Sequence, residues 1–160
     1  MSRTTIDAPA GQPFIDVSRE FDAPRDLVFR AFSEPELLAQ WLGPRKYEMI
    51  VDEYDVRAGG SWRYRHRGAD GTEHAFHGVF HGDQTPDGML QTFEYEGAPG
   101  HVSLDQLVLE DNGGRTVVRG HSVYQSVAAR DAMIESGMEG GMNEGFDRLD
   151  ELLAGRLART

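Results

Sequence analysis

The feature that most constrains this chain is the stretch from Tyr47 to about Tyr124, where short strand-like segments alternate with turn signals. Clusters of glycine, proline, aspartate and asparagine mark turns between strands. The signals here are Gly59-Gly60, Ala69-Asp70-Gly71, Pro86-Asp87-Gly88, Ala98-Pro99-Gly100 and Asn112-Gly113-Gly114. Six strands fit between and around them, and most of the connections are tight, which favours antiparallel pairing. The stretch therefore predicts an antiparallel meander.

One strand and two short helices are predicted before the meander. Phe14–Phe21 alternates and is rich in strand formers. Asp22-Ala23-Pro24 indicates a helix start with proline in the first turn. Ser33-Glu34-Pro35-Glu36 resembles a capping box that opens a second helix. That helix carries Leu37, Leu38, Trp41 and Leu42 on one face and ends at Gly43-Pro44.

A single long helix is predicted after the meander, from about Ala128 to Leu157. Its buried stripe consists of Met138, Gly141, Met142, Gly145, Leu149, Leu152 and Leu153. Glycine inside a helix costs up to about 1 kcal/mol relative to alanine, so its glycines need a reason. Close packing on the sheet is one reason, expected at Gly141 and Gly145. A helix soft enough to admit a ligand is the other, expected at Gly137 and Gly140.

This order of elements predicts an α+β fold of the helix-grip type. A curved antiparallel sheet of about seven strands would wrap around the C-terminal helix, and the two short helices after the first strand would close one end. The length of 160 residues suits one domain. We expect that domain over residues 13–157, preceded by a disordered tail over residues 1–12.

Composition excludes several classes of function. The chain has no cysteine, so disulfides, thiolate nucleophiles and cysteine metal sites are absent. Its net charge of −11 disfavours nucleic acid and anionic membranes as partners. No apolar run approaches the ~20 residues of a membrane span, and a cytoplasmic location is expected. Exposed sheet edges could pair two copies, so a homodimer is one expectation.

No cofactor or metal is predicted. His77 and His81 lie four residues apart in a predicted strand, which separates their backbones by roughly 13 Å, too far for ready ligation of one ion. No phosphate-binding glycine loop, dinucleotide fingerprint or nucleophile elbow is present.

The turn at Ala69-Asp70-Gly71 predicts the pairing of its two strands. A three-residue loop with glycine last fits a type I turn followed by a bulge. Trp62 would then oppose Gly78, Tyr64 would oppose Phe76, and His66 would oppose His74. This register places Trp62, Tyr64, His66, His74, Phe76 and Phe80 on one face and Arg63, Arg65, Arg67, His77 and His81 on the other. A two-residue loop, the alternative, would instead bring Trp62 to His77 and Val79.

Ordered sequence blocks also carry a resemblance to a known family. They are Phe21-Asp22-Ala23-Pro24, Leu37-Leu38-Ala39-Gln40-Trp41-Leu42-Gly43-Pro44, Asp55-Val56-Arg57-Ala58-Gly59-Gly60-Ser61-Trp62, Phe76-His77-Gly78-Val79-Phe80, Gln91-Thr92-Phe93-Glu94-Tyr95-Glu96-Gly97 and Gly145-Phe146-Asp147-Arg148-Leu149. The chain resembles the SRPBCC (START/Bet v 1-like) superfamily, and within it bacterial proteins similar to the C-terminal domain of the Hsp90 ATPase activator Aha1. The resemblance implies a helix-grip fold with an internal cavity. The superfamily includes lipid carriers, hormone receptors, polyketide cyclases and oxygenase domains.

The function we expect is binding of a small hydrophobic or aromatic molecule between sheet and C-terminal helix, as a carrier or sensor. The expected lining is Trp41, Trp62, Tyr64, His66, His74, Phe76, Phe80, Phe93, Tyr95, His121, Met138, Met142 and Phe146. Mixed apolar and polar lining of this kind is typical of small-ligand pockets. Two alternatives stay open. One is a cyclase- or dehydratase-like enzyme using acid–base residues among Tyr64, His66, His74, Tyr95 and His121. The other is a protein-interaction module related to the Hsp90 activator.

Overall fold

The computed structural model describes residues 3–157, which form one eight-stranded antiparallel sheet and four helices. The strands are β1 (Thr5–Asp7), β2 (Phe14–Phe21), β3 (Glu48–Tyr54), β4 (Ser61–Arg67), β5 (Glu73–Val79), β6 (Gly88–Tyr95), β7 (Val102–Asn112) and β8 (Arg115–Val123). The helices are α1 (Arg25–Ser33), α2 (Pro35–Leu38), α3 (Val127–Glu135) and α4 (Met138–Leu157). The strand order across the sheet is β1-β2-β8-β7-β6-β5-β4-β3.

The predicted antiparallel meander is confirmed as β3 to β8, and the predicted first strand is β2 with the same bounds. The β4–β5 hairpin has the predicted three-residue register, with Trp62 opposite Gly78, Tyr64 opposite Phe76 and His66 opposite His74. A Cβ on Gly78 would lie 2.7 Å from Trp62 Nε1 and 1.9 Å from the backbone oxygen of Thr92. Glycine at this position therefore makes room for the indole.

The tail over residues 1–12, predicted to be disordered, contains strand β1 instead. Ile6 pairs with Val17 of β2, and Thr5 and Asp7 pair with its neighbours. This three-residue strand extends the sheet from about seven strands to eight, because the edge of β2 offers free backbone groups to any extended segment beside it. Residues 1–2 lie outside the described part of the chain.

The prediction of one continuous helix from Ala128 to Leu157 is wrong, because the helix is interrupted between α3 and α4. Gly137 lies at the break with φ +85°, a left-handed conformation that glycine adopts at little cost after a helix end. At the start of α3 the Ser126 hydroxyl accepts a hydrogen bond from the Ala129 N–H. Ser126 thus supplies a side-chain cap.

The capping box predicted at Ser33 is also wrong. Ser33 is the last residue of α1, and its hydroxyl donates to the carbonyl of Phe29 at 2.7 Å. Glu34 occupies the cap position of α2 without a side-chain cap bond. Because α2 ends at Leu38, Trp41 lies beyond it in the connection to β3.

Helix α4 covers one face of the sheet, called here the covered face; the opposite side is the outer face. Phe146 of α4 meets the Phe21 ring edge-on at 5.5 Å between centroids. Arg19 of β2 is buried and pairs with Asp147 and Asp150 of α4. These contacts hold α4 against β2. Over residues 3–157, no helix combines the length and apolarity needed to cross a membrane.

Candidate ligand-binding site

Five aromatic side chains of β4, β5 and β6 form a continuous layer on the covered face. We call this layer the aromatic wall; it consists of Trp62, Tyr64, Phe76, Phe93 and Tyr95. Neighbouring rings lie at centroid distances of 4.8 Å (Trp62–Tyr64), 5.5 Å (Tyr64–Phe76), 5.4 Å (Phe76–Phe93) and 5.2 Å (Phe76–Tyr95). The face predicted from alternation is therefore the one that the structure presents to the helices.

The wall is deeply buried at one end and open at the other. Trp62 is 1% exposed and Tyr64 8%, whereas Phe76, Phe93 and Tyr95 are only half-buried. A ring in a filled core would have no accessible surface. The covered face of β5 and β6 is thus incompletely filled by the helices.

Two histidine side chains, His66 and His74, lie next to the aromatic wall. His66 stacks on Tyr64 at 5.7 Å and also contacts Phe76 at 5.2 Å. Its cross-strand partner His74 bonds the Tyr95 hydroxyl through Nδ1 at 2.9 Å. His66 Nε2 is buried and has no hydrogen-bond partner among residues 3–157. Burial lowers the pKa of His66 to about 4, helped by the nearby charges of His74 and Arg148, so the ring is neutral at neutral pH.

Asp105 is a residue of this face that sequence analysis missed. It lies on β7 opposite Ser122 and next to the β6 strand of the wall. Ser103 Oγ donates to Asp105 Oδ1 at 2.9 Å, and the Ser122 side chain also bonds this carboxyl group. Burial raises the pKa of Asp105, and the two serine hydroxyls oppose the rise. Alternation with Leu107 and Leu109 was the signal that could have placed Asp105 inward.

Two more polar groups of this face lie within the core. The indole Nε1–H of Trp62 is buried, and the described part of the chain offers it no hydrogen-bond partner. The pKa of Tyr64 is raised far above its ordinary value by burial, with smaller contributions from Tyr54 and Asp105. Buried donors are normally paired, and the orphan indole N–H, which lies against Gly78, is an exception.

Several predicted lining residues lie in the packed core or beside it. Trp41 donates its Nε1–H to the carbonyl of Ala31 and stacks on Phe146 at 6.2 Å. Phe80 is fully buried against Tyr54 at 5.3 Å. Met142 packs against this core, and Met138 is half-buried.

The placement of His121 in the cavity is wrong. His121 alternates with the inward residues of β8 and faces outward, where Nδ1 lies 2.5 Å from Asp16 Oδ1 and the ring contacts Phe14. It lines an outer depression of about 530 Å³ together with Asp7 and Arg119. A second depression, of about 290 Å³, lies around Leu104 and Val123. Neither depression includes a residue of the aromatic wall.

The predicted outward residues form ion pairs. Arg63 bridges Glu96 and Asp52, and Arg65 bridges Asp52 and Glu73. His77 contacts Glu94 and Glu96. The basic side chains of this face are therefore matched by carboxylates, which leaves no unbalanced basic patch among them.

A curved antiparallel sheet closed over a C-terminal helix is the architecture of the helix-grip class in the SRPBCC superfamily. Within that class the chain belongs to the AHSA1 family, described as Activator of Hsp90 ATPase homolog 1-like proteins, whose model matches residues 22–154. No curated protein matches the chain.

Solved structures of bacterial proteins share this fold. A crystal structure of a Rhodobacter sphaeroides protein matches with a TM-score of 0.88 and 26% identity, covering 96% of this chain and 99% of that one. A solution structure from Arthrobacter aurescens matches with a TM-score of 0.86 and 26% identity, covering 94% and 91%. A Mycobacterium smegmatis protein at 21% identity, covering 94% and 97% with a TM-score of 0.85, supports the fold alone.

Proposed function

We propose that this chain binds a small hydrophobic or aromatic molecule between the aromatic wall and helices α3 and α4. The observation that carries the proposal is the partial exposure of Phe76, Phe93 and Tyr95 on the face that the helices cover. Apolar surface left accessible inside a fold gains roughly 25 cal/mol for each Å² that a ligand removes from water. The wall therefore offers a favourable place for an apolar guest.

The break between α3 and α4 supports this proposal. Gly137 joins the two helices, and α3 contributes only Arg130 to the buried residues. A segment with few buried apolar contacts opens at low free-energy cost. Movement of α3 on ligand entry would break the bonds of Arg130 to the Pro9 and Phe14 carbonyls, while α4 stays held through Phe146 and Arg19.

The orphan Trp62 indole provides the test. Uncharged aromatic compounds such as naphthalene and biphenyl are titrated into the protein while tryptophan fluorescence and thermal unfolding are recorded. We expect the emission to change, and Trp62→Phe to remove most of the change. A ligand present at 100 times its Kd should stabilise the fold by about 2.7 kcal/mol.

Trp41 is the matched control, because it is equally buried but hydrogen-bonded to Ala31 and packed on Phe146. Trp41→Phe should keep the ligand response of Trp62. If a broad panel of such compounds changes neither the fluorescence nor the melting temperature, the chain does not bind apolar molecules at the wall.

A further inference from the structure

The covered face holds one carboxylate that has no cation beside it. Asp105 faces inward from β7, and its partners in the described residues are the hydroxyls of Ser103 and Ser122. The buried arginines of the described residues are already engaged: Arg19 pairs with Asp147 and Asp150, and Arg130 pairs with Asp131 and two backbone carbonyls. A buried carboxyl group without a counter-ion is costly to keep ionised.

The same carboxyl group lies beside the open end of the aromatic wall. Phe93 pairs with Ser103 across β6 and β7, which makes Asp105 its diagonal neighbour. Diagonal neighbours in an antiparallel pair are separated by roughly 7–8 Å. An aromatic molecule on Phe93 with a two-carbon arm could thus bring a polar group to the Asp105 oxygens.

A second observation on the same face concerns the chemistry of the ligand. Phe76, Phe93 and Tyr95 keep accessible ring surface, and Phe93 is the diagonal neighbour of Asp105. Aromatic faces attract cations, most strongly when the site is desolvated. The wall and the carboxyl group therefore favour the same chemistry, and the net charge of −11 adds a long-range attraction for cations.

We infer that Asp105 anchors the ligand of the aromatic wall, and that this ligand is an aromatic molecule carrying a protonated amine. The inference rests on the proposed function and specifies its ligand class. An ammonium group would pair with the Asp105 carboxylate while its carbon skeleton covers Phe76 and Phe93. Ligand binding would also offset the rise in the pKa of Asp105 that burial causes.

The test compares three probes of one shape and different charge: naphthylethylamine, naphthylethanol and naphthylacetate. Their affinities for the full chain are measured by calorimetry at neutral pH. Charge-assisted hydrogen bonds are roughly twice as strong as neutral ones, so the amine should bind at least about tenfold more tightly than the alcohol. The acetate should bind more weakly than the alcohol, because its carboxylate would meet Asp105.

Asp105→Asn should bring the amine and the alcohol to within about threefold of each other, with little change for the alcohol. Glu110→Gln is the matched control, since it removes the same charge from the outer face of β7 and should keep the amine preference. Melting curves of both variants establish that each remains folded.

The remaining outcomes would overturn either the role of Asp105 or the proposed function. Equal affinities for the three probes, or an amine preference that survives in Asp105→Asn, would overturn the role of Asp105 and leave apolar binding at the wall in place. Loss of the preference in Glu110→Gln as well would show that only overall charge attracts the amine, which also overturns it. If no probe binds and the uncharged aromatic panel fails too, the proposed function falls and this inference with it.

Discussion

Alanine at Gly145 should destabilise the protein, because helix α4 lies close to the backbone of the loop between α2 and β3 there. A Cβ at Gly145 would lie 3.3 Å from the Gly43 nitrogen and 3.4 Å from the Trp41 carbonyl oxygen. Both atoms belong to backbone, which cannot rotate away as a side chain can. Overpacking of this kind costs about 1–3 kcal/mol, while the better helix propensity of alanine returns at most about 1 kcal/mol. We expect a net loss of about 1 kcal/mol.

The same substitution at Gly140 should stabilise the protein. Apart from its chain neighbours and the backbone of its own helix, no atom of the described residues lies within 4 Å of a Cβ built at Gly140, so only the helix propensity changes, by up to about 1 kcal/mol. The two substitutions are chemically identical and five residues apart in one helix. Their free energies of unfolding should therefore differ by about 2 kcal/mol in the direction that favours Gly140→Ala.

The structure changes what we expect for the other two glycines, Gly137 and Gly141. Gly137, expected to serve mobility inside a helix, has φ +85° at the break, where alanine costs about 1–2 kcal/mol. Gly141, expected to pack closely, leaves a Cβ 3.5 Å from Pro44 Cγ, an ordinary contact. Alanine should therefore destabilise at Gly137 and be tolerated at Gly141.

Urea unfolding of the four single alanine variants measures these differences. The slope of the unfolding free energy against urea should stay constant, which shows that only stability has changed. One kcal/mol corresponds to about 2–4 °C in Tm for a chain of this size. Equal shifts at Gly140 and Gly145, or a gain at Gly145, would refute the reasoning from Cβ distances.

Two further predictions concern buried charge. The folded pKa of His66 is about 4, below the ordinary 6.5, so its stabilising contribution is complete above pH 6.5 and is lost as the pH falls towards 4. His66→Gln should reduce the fall in the free energy of unfolding between pH 6.5 and pH 4. His101→Gln, at an exposed histidine, should leave that fall unchanged. Arg19→Met should lower the free energy of unfolding by about 2 kcal/mol in urea titrations, because it removes two charge-assisted bonds to α4; an unchanged value would mean that Arg19 does not fasten α4.

The sequence was most informative where one local rule had no competitor. At Ala69-Asp70-Gly71 the loop length, the glycine and the alternation all predicted the same strand register. The structure confirms this register along the β4–β5 hairpin as far as the pair Trp62–Gly78. The same alternation placed the aromatic wall on one face. Pattern and turn chemistry together thus predicted the sheet and its inward aromatic residues.

The incorrect predictions arose where one sequence pattern is compatible with two different local structures. A glycine within a helical pattern can be a tolerated interior residue or a helix end, and only the positive φ of Gly137 distinguishes them. Strand β1 is too short for its alternation to stand out, and its pairing depends on the edge of β2. His121 was assigned to the cavity by residue type, although its alternation with Val118 directs it outward.

The position of β2 in the sheet has a consequence for synthesis of the chain. Among the described strands its long partner is β8, and the pair Asp16–His121 joins residues 105 positions apart. At 5–20 residues per second, β2 waits roughly 5–20 s for β8 to be made. During that interval Ile15 and Phe21, both fully buried in the finished fold, remain exposed to water. We expect the nascent chain to depend on holding chaperones in this window, and the mature protein to fold slowly for its size because the β2–β8 pairing is so distant in sequence.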